Sequence, residues 1–271
     1  MIIAQISDMH VRAPGQLAYR RVDTATFLAR TVEQIAKMTP PPDVVIATGD
    51  LVDAGQPEEY EHLRALLAPL AMPVHLIPGN HDERGAMVRA FADHAYLPRD
   101  GFLQYVLDDY PVRLIALDTL VPGQGGGLMC EARCAWLAAR LGEAPARPTV
   151  VFMHHAPFAT GIAHMDRLGL DGIERMGAVI ERHPQVERIV CGHLHRPIQI
   201  RWRGTLVMTS PSTAHQVVLD LREDVPGTFA MEPPAFLLHV WRPGTGLITH
   251  TSYVGEYPGP YPFRDPGQSK A

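Results

Sequence analysis

The chain has 271 residues, 46% of them hydrophobic and 20% charged, with a formal net charge of -5. That balance is ordinary for a folded domain and excludes a disordered chain. It also argues against nucleic acid as the main partner, because no Lys/Arg cluster supplies the cationic surface that such binding draws on.

An apolar run from Ile2 to Ile6 reads as a first β-strand. It carries no basic n-region or small-residue cleavage site, so a cytoplasmic location is expected. From Thr24 to Met38, Phe27, Leu28, Thr31, Val32, Ile35 and Met38 fall at helical spacing, and Pro40-Pro41-Pro42 stops the helix. A strand at Val44 to Ala47, a helix at Pro57 to Leu67, a strand at Val74 to Ile77 and helices at Arg84 to Phe91 and Cys130 to Leu141 follow. Strands at Thr149 to Phe152 and Arg188 to Cys191 then flank a helix over Gly172 to Arg182. This alternation predicts a layered α/β fold. No window approaches the roughly 18 consecutive apolar residues of a membrane span, so no membrane contact is expected. An odd number of cysteines (Cys130, Cys134, Cys191) gives no disulfide framework.

After residue 196 the runs shorten: Pro197 to Trp202, Thr205 to Met208, Val217 to Leu221, Phe236 to Trp241 and Leu247 to Tyr253, separated by turn residues. They predict strands and hairpins that add antiparallel strands to one sheet. The spacing of prolines from Tyr257 to Pro262 rules out a regular helix or a central strand there.

Polar blocks stand at or just past the ends of five predicted strands: Asp8-Met9-His10, Gly49-Asp50, Gly79-Asn80-His81-Asp82, His154-His155 and Gly192-His193-Leu194-His195. Strands that deliver such groups from one end converge on a crevice, where open α/β sheets place their ligands. Asp8 and His10 can reach a single ion, and Asp50 follows a glycine that lets the chain turn while the carboxylate enters the crevice. Asn80 offers a neutral amide oxygen, His81 is placed to donate a proton to substrate, and His193 and His195 can serve two adjacent ions. His154 is the remaining imidazole, with His155 read as a supporting or packing residue. Taken singly, D-x-H and G-D read equally as polar turns; their order and placement make them one site.

The ordered set D-x-H, G-D, G-N-H-D, H and G-H-x-H resembles the calcineurin-like metallophosphoesterase superfamily, departing only at Met9, where an aliphatic residue is usual. Its D-x-H near the start and the stretch Ser210-Pro211-Ser212-Thr213-Ala214-His215-Gln216 are most similar to bacterial class III cyclic-nucleotide phosphodiesterases and glycerophosphodiesterases. The resemblance implies an α/β four-layer αββα sandwich of two mixed β-sheets flanked by helices, with a small C-terminal β-rich extension. It implies two metal ions per subunit, iron, manganese or zinc. Asp8, His10 and His195 would hold one ion, Asn80, His154 and His193 the other, and Asp50 would bridge them. The implied reaction is hydrolysis of a small-molecule phosphodiester, a cyclic nucleotide or glycerophosphodiester, by a metal-bridging hydroxide, with His81 assisting the leaving group.

On this reading residues 1–196 form the metallophosphoesterase core, 197–256 complete the sandwich, and 257–271 are a Pro-rich tail. A hairpin around Pro233-Pro234, with Phe229, Met231 and Phe236, is expected to support a homo-oligomer. Arg12, Tyr19, His164 and Met165 lie on loops expected to overhang the crevice and contact the alcohol or nucleoside portion. The same centre would also serve a phosphomonoesterase or a promiscuous phosphoesterase, since substrate choice lies in the loops. A non-catalytic interaction module would be signalled by lost ligands, and none is missing. A nuclease is disfavoured by the acidic balance.

Overall fold

The computed structural model describes residues 1–264. Two mixed sheets stack face to face. The first runs from edge to edge as Gly246–Tyr253, Ala235–Arg242, Ile2–Ile6, Val44–Thr48 and Val74–Ile77. The second runs as Gln199–Trp202, Thr205–Thr209, Val186–Cys191, Thr149–Phe152, Arg113–Ala116 and Tyr105–Leu107. Ile2–Ile6, Val44–Thr48 and Val74–Ile77 are mutually parallel, as are Arg113–Ala116, Thr149–Phe152, Val186–Cys191 and Thr205–Thr209. Parallel neighbours present the same end, so their following loops gather on one side.

Side-chain alternation assigns the layers. In the central strand of the second sheet, Val150 and Phe152 join the core between the sheets, while Val151 joins the core beneath the helices Glu131–Gly142 and Ile173–Ile180. Leu28, Val32 and Ile35 of Thr24–Ala36 and Tyr60, Leu63 and Leu67 of Pro57–Leu67 cover the first sheet. The expected four-layer αββα sandwich is therefore formed. No helix among the described residues is long and apolar enough to cross a membrane.

The strands after residue 196 depart from the expectation: they do not all join one sheet. Gln199–Trp202 and Thr205–Thr209 extend the second sheet, the latter in parallel with Val186–Cys191, whereas Ala235–Arg242 and Gly246–Tyr253 extend the first. The run expected at Val217 to Leu221 is a strand only over Gln216–Val217, because Leu219 and Leu221 face solvent. Phe236 is wholly buried in the core between the sheets and Phe229 is half-buried, so of the expected hairpin apolars only Met231 stands exposed. Residues 257–264 form no strand or helix; residues 265–271 of the expected tail lie outside the described residues.

One buried polar bridge ties the sheets together. Gln5 donates to Thr48 Oγ1 and to the Cys191 carbonyl, each at 3.0 Å, and its Oε1 lies 3.0 Å from His239 Nε2. Burial, with Arg188 adding to it, holds the His239 pKa down at about 3. The native state therefore keeps this imidazole neutral, and as pH falls below the ordinary value of about 6.5 only the unfolded chain takes up the proton. His239→Gln is expected to make stability less acid-sensitive: between pH 6 and 5 its loss should be smaller than the wild type's by about 1 kcal/mol. Urea midpoints at the two pH values, in one metal state, check this; identical slopes would refute it.

Candidate metal centre

The five polar blocks lie at the ends of Ile2–Ile6, Val44–Thr48, Val74–Ile77, Thr149–Phe152 and Val186–Cys191, drawn from both sheets. Their backbone is unusual. Asp8, His10, Asp50, His193 and His195 all have positive φ, between 44° and 68°, and only Tyr19, Arg20 and Arg203 share this among non-glycine residues described. A side chain in that region costs about 1–2 kcal/mol, and such strain persists where surrounding structure enforces it. Glycines make the approach possible. Gly49 turns at φ 87°, and a Cβ on Gly79 would stand 2.3 Å from both the backbone nitrogen and Oδ1 of Asp50.

The donors form two groups that meet at Asp50. On one side His10 Nε2 and His195 Nε2 are 3.1 Å apart, with Asp8 Oδ1 3.5 Å from His195 Nε2. On the other, His154 Nε2 lies 3.1 Å from Asn80 Oδ1, and the His193 ring stands beside His154 with 5.1 Å between centroids. Asp50 divides its carboxylate between them: Oδ2 is 3.6 Å from His10 Nε2 and Oδ1 is 3.4 Å from His154 Nε2.

Outer contacts fix which nitrogen of each imidazole faces inward. His154 Nδ1 lies 2.8 Å from the Thr48 carbonyl, His195 Nδ1 3.0 Å from the His215 carbonyl and His193 Nε2 3.0 Å from the Leu168 carbonyl. His10 Nδ1 stands 3.3 Å from Asp53 Oδ1. A carbonyl accepts only from a protonated nitrogen, so the inward nitrogen of each is a lone pair in the neutral ring. The centre thus turns lone pairs toward one another, and a lone pair toward an amide oxygen, at hydrogen-bond distance. With the rings neutral, cations between these atoms make that arrangement favourable, and O and N donors without thiolate suit hard or borderline metals.

The electrostatics divide the imidazoles: they favour the neutral ring at His193 and His195 and the charged one at His154. Burial lowers the pKa of His193 to about 3 and also lowers that of His195, keeping both in the neutral form that ligates. Burial likewise opposes charge on His154, but the neighbouring Asp50 carboxylate outweighs it and brings the pKa to about 9. Burial raises the pKa of Asp8, with the Asp50 carboxylate adding to it and His195 and His154 opposing.

His155 is close, yet both its ring nitrogens are engaged, Nδ1 with Thr119 Oγ1 at 2.8 Å and Nε2 with the Gly125 carbonyl at 3.1 Å. It supports the loop over 119–125 and leaves no nitrogen for a metal. Asp82 accepts from the backbone nitrogens of Gly79 and Leu51 and from the Tyr60 hydroxyl, so it clamps the Asn80 turn to the Asp50 turn. His81 lines the cavity, its backbone nitrogen on Asp50 Oδ1 at 2.9 Å and its Nδ1 2.7 Å from the Asp53 carbonyl.

That cavity, about 370 Å³, contains no Lys or Arg in its lining among the described residues. Tyr19 and Met165 reach it as expected, along with Leu168, His215 and Phe229. Arg12 and His164 do not line it. The Arg12 guanidinium is held by Asp53 at 3.2 Å, Glu59 at 3.0 Å and Gln16 at 2.9 Å, and the His164 ring lies against Gly227. The sequence reading passed over Asp53, His215 and Phe229 as site residues. A second carboxylate three positions after Asp50 was the available signal for Asp53; Phe229 had none, since only folding brings the segment before the last hairpin over the crevice.

A two-sheet sandwich whose strand ends share a buried cluster of carboxylates and imidazoles defines the class: a metal-dependent hydrolase centre. The family model for calcineurin-like phosphoesterases matches residues 1–197, and the chain belongs to that family, whose centre holds two metal ions. It is 40% identical over 264 residues, 97% of each chain, to a probable glycerophosphodiester phosphodiesterase GpdQ of Arcobacter nitrofigilis. It is 30% identical over 214 residues, 79% of this chain and 76% of the other, to the 3',5'-cyclic adenosine monophosphate phosphodiesterase CpdA of Escherichia coli. In fold it is similar to a dimetal phosphatase from Danio rerio, with a TM-score of 0.68 at 16% identity, covering 94% of this chain and 99% of that one.

Proposed function

We propose that this protein is a phosphodiesterase that hydrolyses a small glycerophosphodiester or cyclic nucleotide at a two-metal centre. Asp8, His10 and His195 would hold one ion, Asn80, His154 and His193 the other, with Asp50 shared between them. The observation that carries the reading is the division of the Asp50 carboxylate between two facing sets of lone pairs. The identity to named diesterases along nearly the whole chain supports a diester rather than a monoester.

When bound, the ions supply Lewis acidity at the phosphoryl oxygens and activate water for in-line attack. The chain supplies the rest. Because no Lys or Arg among the described residues lines the cavity, substrate charge would be met by the ions and by His81. His81 donates its Nδ1–H in a hydrogen bond to the Asp53 carbonyl, and in the imidazolium form its second N–H, at Nε2, gives its proton to the departing alcohol and leaves the ring neutral. Tyr19, Met165, Leu168 and Phe229 enclose the remaining part of the ester and limit its size. The donor set accommodates iron, manganese or zinc. The exposed Leu219, Leu221 and Met231 support a homo-oligomer formed through that segment; a constant monomer mass in light scattering across concentrations would refute it.

The deciding experiment assays metal-loaded protein on glycerophosphodiesters, cyclic nucleotides and matching monoesters, with products identified by phosphorus NMR. Diesters are expected to react with kcat/KM at least about tenfold above monoesters, a difference of about 1.4 kcal/mol in transition-state binding. Turnover of monoesters alone would overturn the diesterase assignment.

A further inference from the structure

We propose that Cys130 is a thiolate paired with Arg133 and a site of reversible oxidation by hydroperoxides. The residue is the N-cap of the helix Glu131–Gly142 and is partly exposed, and Arg133 directs its Nη1 at the sulfur at 3.8 Å. The Arg133 side chain is only 3% exposed. Its Nη2 donates to the Leu120 carbonyl at 2.7 Å, the Phe102 ring lies 3.9 Å from its Cζ, and its Nε makes no hydrogen bond among the described residues. A cation buried in this way is costly unless an anion stands beside it.

The carboxylate that faces Arg133 is already engaged. Asp118 accepts from Arg84 Nε at 2.6 Å and Nη2 at 2.8 Å, and from the backbone nitrogens of Leu103 and Leu120, each at 2.9 Å. Arg133 stands 3.8 Å from it, outside hydrogen-bond range. Two guanidinium groups thus share one carboxylate, and the sulfur is the acceptor that meets Arg133 Nη1. Arg175, which donates to the Met129 carbonyl at 3.0 Å, adds positive charge at the residue before the thiol. Burial opposes ionisation of Cys130, but the backbone N–H and guanidinium of Arg133 outweigh it and hold the pKa below the ordinary thiol value. A partly exposed sulfur in an electropositive pocket at a helix start is the setting in which cysteines react. Cys134 and Cys191 differ: both are buried, and burial raises the pKa of each.

In the oxidation the thiolate attacks the hydroxyl oxygen of the hydroperoxide. An S–O bond forms as the O–O bond breaks, sulfur is oxidised to sulfenic acid, and the departing hydroxide or alkoxide takes a proton from water. A small thiol reverses the step: one molecule condenses with the sulfenic acid to a mixed disulfide and water, and another exchanges that disulfide away.

The competing explanation is a neutral thiol that merely packs against Arg133. Partly covered by the fold, it reacts more slowly in the native protein than in the unfolded chain, whereas a thiolate reacts faster. Iodoacetamide labelling at pH 7, resolved by mass spectrometry of peptides, separates the two in Zn²⁺-loaded protein, whose metal takes no part in redox chemistry. Cys130 is expected to label at least about tenfold faster in the native protein than in the chain unfolded in urea with chelator, with Cys134 and Cys191 unlabelled over the same time. Arg133→Met, which keeps an apolar stem against Phe102, is expected to bring the native rate down to that of the unfolded chain or below. Hydrogen peroxide followed by dimedone is expected to leave an adduct on Cys130, and treatment with a small thiol before dimedone to prevent it. The native-to-unfolded ratio and the trapping need no variant, so they carry the test if R133M does not fold. A native rate at or below the unfolded one, an unchanged rate in folded R133M, or no adduct on Cys130 would overturn the proposal.

Discussion

Asp50→Asn should abolish the binding of both ions and reduce phosphodiester turnover by at least about 10³-fold, since losing even a supporting residue costs about 10- to 100-fold in metal affinity or activity. Two oxygens of one carboxylate lie 3.6 Å and 3.4 Å from inward nitrogens of opposite groups, so this residue serves both. The replacement is nearly isosteric. It retains an oxygen for the His81 backbone nitrogen and thus the turn that carries Asn80 and His81. The charge, however, is gone, and with it the only carboxylate between two cations that would otherwise repel one another. Asp8 cannot compensate, because both its oxygens are also turned toward the His193 backbone nitrogen. Metal content by mass spectrometry and calorimetry, beside circular dichroism to show an intact fold, checks this. Two ions bound at wild-type affinity would remove Asp50 from the centre.

His81→Ala should behave in the opposite way, keeping both ions while kcat falls by about 10²- to 10⁴-fold. Its Nδ1 is consumed by the Asp53 carbonyl and its remaining nitrogen belongs to the cavity, so the ring is not required by either donor group. If it protonates the departing alcohol, the deficit depends on the ester. An alkyl leaving group needs the proton, whereas a nitrophenolate leaves without it, so the loss on a nitrophenyl diester should be smaller by about tenfold or more. Loss of metal would make His81 a ligand. An equal deficit on both esters would leave it a charge near the phosphoryl group and no acid.

The helices and strands that hold the centre were legible because their signals are local. Pro57–Leu67, Val74–Ile77 and Thr149–Phe152 fall where periodicity and breakers place them, and helix ends elsewhere moved by one or two residues, as in Thr24–Ala36. Arg113–Ala116 was not legible. It is four residues long and begins with an arginine that is only 3% exposed, a pattern that alternation cannot mark as a central strand. Its charge is tolerated because Asp108 and Glu143 meet the guanidinium, each at 2.9 Å, and those partners come from elsewhere in the chain. The same limit applied to Arg12: its place after His10 suggested a substrate contact, and only folding shows Asp53 and Glu59 taking its charge.

By itself the sequence determined the chemical inventory: carboxylates, an amide and imidazoles in a set order at strand ends, with the glycines that let them approach. Strand ends are encoded by near neighbours, so such a list survives without coordinates. Tertiary structure decided how the list is divided. Which nitrogen of each imidazole faces inward depends on carbonyls of Thr48, Leu168 and His215, distant in sequence from the rings they hold. The closing of the cavity by Phe229 over Tyr19 likewise joins segments more than two hundred residues apart. Contacts of that range follow from how two sheets stack and share a core, and no local pattern carries them.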